Sequence, residues 1–202
     1  MHRPVIVFAG WLVFLALALA AFAAEAENVV APAYPSDARD KPLTVNVLAR
    51  GEIANGKVAD AAVLYDDGPG EFAAAARAAL EQSTFDADRS RVTIWYVFRL
   101  MQDTKARDVS RDRGRELDAE PALVEYVAPA FPPGAPSLRT EVALVLFLGP
   151  DGAVWYAEPA DDGVNPMYVE SALVAARQFE FEPATLDGEP TATWYPFVFE
   201  FE

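Results

Sequence analysis

An internal repeat limits what this chain can fold into more than any other feature. The pentapeptide Ala31-Pro32-Ala33-Tyr34-Pro35 returns as Ala128-Pro129-Ala130-Phe131-Pro132, 97 positions later. The correspondence stays in order. Asn55-Gly56-Lys57-Val58 matches Asp151-Gly152-Ala153-Val154, Asp66-Asp67-Gly68 matches Asp161-Asp162-Gly163, and Phe85 matches Phe181. Trp95-Tyr96-Val97-Phe98 then matches Trp194-Tyr195-Pro196-Phe197, and all the offsets lie between 95 and 99. Landmarks that keep their order while the offset drifts by only a few residues indicate a duplication. With 52% hydrophobic and 12% aromatic residues among 202, the chain has enough apolar material for two small cores.

Periodicity assigns the same elements to each half. Leu43 to Arg50 alternates through Val45, Val47 and Ala49, and Asn55-Gly56 is a hairpin turn leading into Lys57 to Tyr65. In the second half, Thr140 to Leu148, the turn Gly149-Pro150-Asp151-Gly152 and Ala153 to Glu158 repeat the pattern. The first of these strands is apolar on both faces, so it is expected to be central or covered. Phe72, Ala76, Ala79, Leu80 and Ser83, and then Tyr168, Ala172, Ala175, Ala176 and Phe179, fall on one stripe of a helix. Each half closes on an aromatic strand, Arg91 to Leu100 and Thr191 to Glu202. In the latter, Tyr195, Phe197, Phe199 and Phe201 share a face that must be buried. The predicted fold class is α+β, with two tandem ββαβ modules over 25–101 and 125–202, each a three-stranded antiparallel sheet with one helix.

Between the modules, residues 102–124 read as a charged linker. Lys105, Arg107, Arg111, Arg113 and Arg115 alternate with Asp103, Asp108, Asp112 and Glu116. Interleaved signs cancel the field, so a solvated, partly helical connection is expected there and not a basic binding patch.

Composition removes several classes of function. Asp and Glu outnumber Lys and Arg by 31 to 16, giving a net charge of -15 that repels nucleic acid and anionic lipid. With no cysteine, neither a disulfide framework nor a thiolate metal site is available. His2 is the single histidine, so the usual general bases and nucleophiles are missing from the rest of the chain, and no catalytic residue and no cofactor is predicted. Asp66-Asp67-Gly68 and Asp161-Asp162-Gly163 lack the alternating ligand spacing of a calcium loop. They read as strand-to-helix turns, so no metal is expected. Val5 to Ala24 is an uninterrupted apolar run ending in small residues, which predicts export by residues 1–24 as a cleaved signal peptide or a retained membrane anchor.

The stretch from Ala128 to the end resembles a TonB C-terminal domain. The likeness rests on the Pro-x-aromatic-Pro opening, the Asp-Gly hairpin and the alanine-rich helix, followed by Phe181-Glu182-Pro183-Ala184 running to Gly188 and the final Trp194-Tyr195-Pro196-Phe197-Val198-Phe199. Pro32 to Leu100 is similar but degenerate, since Phe85-Asp86-Ala87-Asp88 lacks the Pro-Ala and the later Gly. The resemblance implies a periplasmic adaptor that pairs a sheet edge with an extended peptide of an outer-membrane receptor or another TonB-system component. A working transducer of that family has Ser and His in its membrane helix and a long Pro-rich spacer. Here the apolar run has neither residue, and only Glu25 to Ala31, reaching about 24 Å, separates it from the first module. Energy transduction is therefore not expected.

Pro196 sits inside an otherwise regular strand pattern and lacks an amide hydrogen, so the last strand is predicted to lie at a sheet edge. Trp194, Pro196, Val198 and Glu200 share the face opposite the aromatic stripe and are the candidate partner-binding residues. Two readings of that face stay open. Either it meets a protein partner, or the two repeats close on each other through it as a structural pseudo-dimer without a peptide site.

Overall fold

The computed structural model describes residues 27–38, 44–100, 102–112, 115–136 and 138–202. The apolar run over residues 1–24, and with it the expected export segment, lies outside the described residues.

Among the described residues, eleven strands and two helices follow a 3-10 turn, Ser36–Ala38. Their order is β1 (Thr44–Ala54), β2 (Lys57–Asp66), α1 (Gly70–Glu81), β3 (Arg91–Arg99), β4 (Lys105–Asp108), β5 (Ala122–Glu125), β6 (Thr140–Leu148) and β7 (Val154–Pro159). Then come α2 (Pro166–Ala176), β8 (Glu180–Glu182), β9 (Ala184–Leu186), β10 (Glu189–Thr191) and β11 (Thr193–Phe201). The architecture is mixed α+β. One sheet has the order β2-β1-β3-β4, a second β11-β6-β7, and β5-β8 and β10-β9 are two-stranded ribbons. All of these pairings are antiparallel.

Local chemistry explains the elements. Asn55 and Gly56 turn the first hairpin with φ of 53° and 76°, the left-handed conformation that a two-residue turn demands. The amide of Phe85 donates to the Gly56 carbonyl at 2.9 Å, and the amide of Phe181 donates to the Gly152 carbonyl at 3.0 Å. A Cβ on Gly56 would stand 2.8 Å from the Phe85 oxygen, and one on Gly152 only 1.9 Å from the Phe181 oxygen. Glycine is required at both because the chain after each helix is pinned against the hairpin turn. Asn165 caps α2 by accepting from the Met167 amide at 3.0 Å, with Pro166 opening the helix.

All ten residues of the two predicted helix stripes are buried. Under α1, Phe72 and Leu80 meet Val45, Val47, Ile94, Tyr96 and Phe98. Under α2, Tyr168, Ala172 and Phe179 meet Leu144, Leu146, Phe199 and Phe201, with Tyr195 and Phe197 packed at the margin. A third cluster joins the two sheets through the faces their helices leave bare. It gathers Leu48, Val109, Phe147, Trp155, Ala192 and Trp194, with Trp95 and Tyr65 against it. The layers therefore run helix, sheet, sheet, helix.

Within residues 102–124, the part that forms β4 and carries Val109 inward departs from the solvated, partly helical connection expected, while most of 115–124 is exposed, and the first sheet has four strands where three were expected. Lys105 to Asp108 pair with Val97 to Ile94, closing the edge of β3. Val109 follows into the inter-sheet core with no exposed surface. Several of the charges in this stretch are paired. Arg89 bonds Asp108 and Glu27, and Arg107 bonds Asp112 and, at 3.1 Å, the Thr191 hydroxyl.

Candidate functional site at the open edge

β11 pairs β6 over nine consecutive residues with no break in register, and among the described residues no strand lies on its other side. Its hydrogen-bonding direction follows from its neighbours. The Ala143 carbonyl accepts from the Ala160 amide, beyond the end of β7. Main-chain groups along a strand alternate in direction, so Ala143, Val145 and Phe147 point to β7, while Val142, Leu144, Leu146 and Leu148 point to β11. In the observed register these last four face Phe199, Phe197, Tyr195 and Thr193. The intervening residues, Trp194, Pro196, Val198 and Glu200, therefore aim their main-chain groups away from the sheet. Pro196 costs the β11–β6 ladder nothing, because the amide hydrogen it lacks would have pointed outward.

The structure places the four candidate residues differently. Pro196, Val198 and Glu200 are exposed, Val198 at 53%. Trp194 is 9% exposed and serves the other open reading: it packs edge-on against Phe147 at 4.9 Å, and its indole Nε1 donates to the Val109 carbonyl at 2.8 Å. It is not available to a partner. The reason is tertiary, since Val109 is delivered by the segment that closes the edge of β3. The usable edge accordingly starts at Pro196 and offers outward amides at Val198 and Glu200 with carbonyls at all three positions.

Around this edge the chemistry is acidic and aromatic. Glu200 stands directly across from Glu141 and bonds Arg139 at 3.0 Å. On the helix side, Tyr126 lies against Phe179, Phe197 and Phe199, and Phe131 against Tyr168 and Phe201. Arg139, Glu141 and Tyr126 escape sequence reasoning, because only the strand register and the return of the chain along the sheet bring them there.

The other outer edges are less suited to pairing. β2 meets β1 through two register shifts, and the six-residue β7 has one against β6. Such irregularities twist an edge away from a new strand. The edge of β3, the counterpart of β11 in the first half, is occupied by β4.

The inter-sheet seam is polar at one end. Arg50 bonds Glu158 at 2.7 Å and lies 5.1 Å from the centre of the Tyr156 ring. Tyr65 stacks on Trp155 at 4.7 Å, and burial, reinforced by Asp67, Asp151 and Asp66, pushes its phenol up to about 12. The acidic turns hold their own backbone. Asp66 accepts from the Gly68 amide at 2.9 Å and Asp161 from the Gly163 amide at 2.7 Å, while Asp67 takes both the amide and the side chain of Asn46. Among the described residues no three His, Cys, Asp or Glu side chains gather as metal ligands.

No family model matches this chain, and neither a curated protein sequence nor a solved structure matches it.

Proposed function

We propose that this chain is an exported protein-binding protein built from two TonB C-terminal-like ββαβ units, the first degenerate, and that it captures an extended peptide on the edge of β11. The peptide belongs to an outer-membrane receptor or another component of a TonB system, in the periplasm. The observation that carries this reading is the unbroken nine-residue pairing of β11 with β6, which turns the main-chain groups of Pro196, Val198 and Glu200 outward. Such an edge supplies main-chain affinity, and side chains at alternate positions supply selectivity. The buried contact between the two sheets favours the pseudo-dimer as a description of how the halves are arranged. It leaves Pro196, Val198 and Glu200 exposed, so a closed pair of repeats and a peptide edge are compatible.

The test is crosslinking in the native periplasm with identification of captured proteins by mass spectrometry. Wild-type protein is expected to capture a defined partner, and Val198→Pro, which removes an outward amide, is expected to lose it while keeping its circular dichroism spectrum. Unchanged capture by folded Val198→Pro protein would overturn the edge reading and leave a structural pseudo-dimer.

A further inference from the structure

Two equivalent edges exist in this molecule, and the chain treats them differently. β3 and β11 align through Trp95-Tyr96 and Trp194-Tyr195, yet β3 is closed by β4 whereas β11 has no strand beyond it among the described residues. Thr93 accepts from the Val109 amide at 2.9 Å, so alternation assigns Trp95 and Val97 as the residues of β3 that bond β4. These are the positions equivalent to Trp194 and Pro196. The first repeat thus displays an occupied form of the same edge, with Lys105 and Arg107 of the bound strand standing opposite Val97 and Trp95. At β11 the side chain at the corresponding start, Trp194, is held by the Val109 carbonyl, and the exposed side chains along the strand begin at Pro196.

The open part is acidic. Glu200 and Glu141 are cross-strand neighbours on the helix-free face, Glu202 follows, and Arg139 is the cation that bonds Glu200 there. A residue placed opposite Glu200 would form the outward hydrogen bonds of Glu200 and project its side chain onto the same face. An acid at that position adds a third carboxylate beside two that already face each other across the ladder, whereas a cation offsets them.

Resting on the edge reading above, we propose that the ligand of β11 is a single extended segment per chain, with Lys or Arg opposite Glu200 and a neutral residue opposite Val198. The first repeat binds no second copy of it, because β4 already holds that edge. Recognition is electrostatic at one end and apolar at the other.

The test uses the full chain and three synthetic nonapeptides that alternate Val with Thr and differ only in the last Val, which is replaced by Lys, by Gln or by Glu, so that the variable residue faces Glu200 while a Val faces Val198. Titration calorimetry at low salt is expected to give one site per chain and to rank Lys above Gln above Glu, the extremes differing by roughly tenfold. The Lys advantage is expected to collapse near 1 M salt, where the screening length is about 3 Å. Glu200→Lys with Glu141→Lys, checked for folding by circular dichroism, should reverse the ranking without changing the stoichiometry. Equal binding of all three peptides, a preference for Glu, or two sites per chain would overturn the inference and leave the edge reading intact. If none of the three peptides bound, the edge reading itself would be overturned.

Discussion

Trp194 illustrates how one residue can satisfy a sequence pattern and still belong elsewhere. Its indole fills the junction between the sheets and gives its one hydrogen bond to a carbonyl 85 positions earlier in the chain. Trp194→Ala should therefore act on stability, costing about 3–5 kcal/mol in urea denaturation, as truncation of a buried aromatic does. Gly152 is more sharply constrained. Its φ of 81° and the 1.9 Å approach of a Cβ to the Phe181 carbonyl leave no room for a side chain. Gly152→Ala is expected to lower stability by roughly 2 kcal/mol or more, whereas Gly134→Ala at a similar φ of 79°, with nothing within 4 Å, should cost less in the same titration.

At the scale of elements, the alternating hydrogen-bond direction of β11 gives a strict comparison. Val198 faces outward and Phe197 faces β6, so prolines at the two neighbouring positions should behave differently. Phe197→Pro removes a ladder bond and a core ring and is expected to cost about 3 kcal/mol or more, while Val198→Pro should leave the thermal melt close to wild type. Similar losses at both positions would mean that the direction has been assigned wrongly. β4 depends on its charges in a different way. Burial alone would raise the carboxyl of Asp108, but bonds from Arg89 and Ser110 outweigh it and hold the group below its ordinary value. A depressed carboxyl contributes stability that is complete above its unfolded value, about 3.9, and is lost as pH falls through the folded value. Denaturation midpoints measured from pH 6 down to pH 2 should accordingly fall more steeply for wild type than for Asp108→Asn, with the divergence beginning near pH 4.

The whole molecule is organised by the contact between its two sheets. Leu48 and Tyr65 from one half interlock with Phe147, Trp155 and Trp194 from the other, and the Arg50–Glu158 pair at 2.7 Å closes one side. Neither sheet has an independent cover for that face, and small modules without staples are marginal alone. Unfolding is expected to be a single transition, with tryptophan fluorescence and far-ultraviolet circular dichroism superimposing across a urea titration. Two separated transitions would show that the halves are stable apart and that the shared cluster contributes little.

Much of this was legible in the amino-acid sequence, because helix stripes, strand alternation and turn residues are local signals. The ten stripe positions, the Asn55-Gly56 hairpin and the peripheral place of the strand containing Pro196 all follow from spacing and backbone chemistry. The fate of residues 102–124 does not. Lys105-Ala106-Arg107-Asp108 has no apolar alternation to announce a strand, and it becomes one because the main chain of β3 offers it unpaired groups, an attraction indifferent to side chains. The burial of Trp194 depends on that same placement, since only after β4 has paired does Val109 reach the indole. The periodic sequence thus determined which faces must be hidden and which strand could sit outermost, whereas pairing across long separations decided which edge was filled and which stayed open.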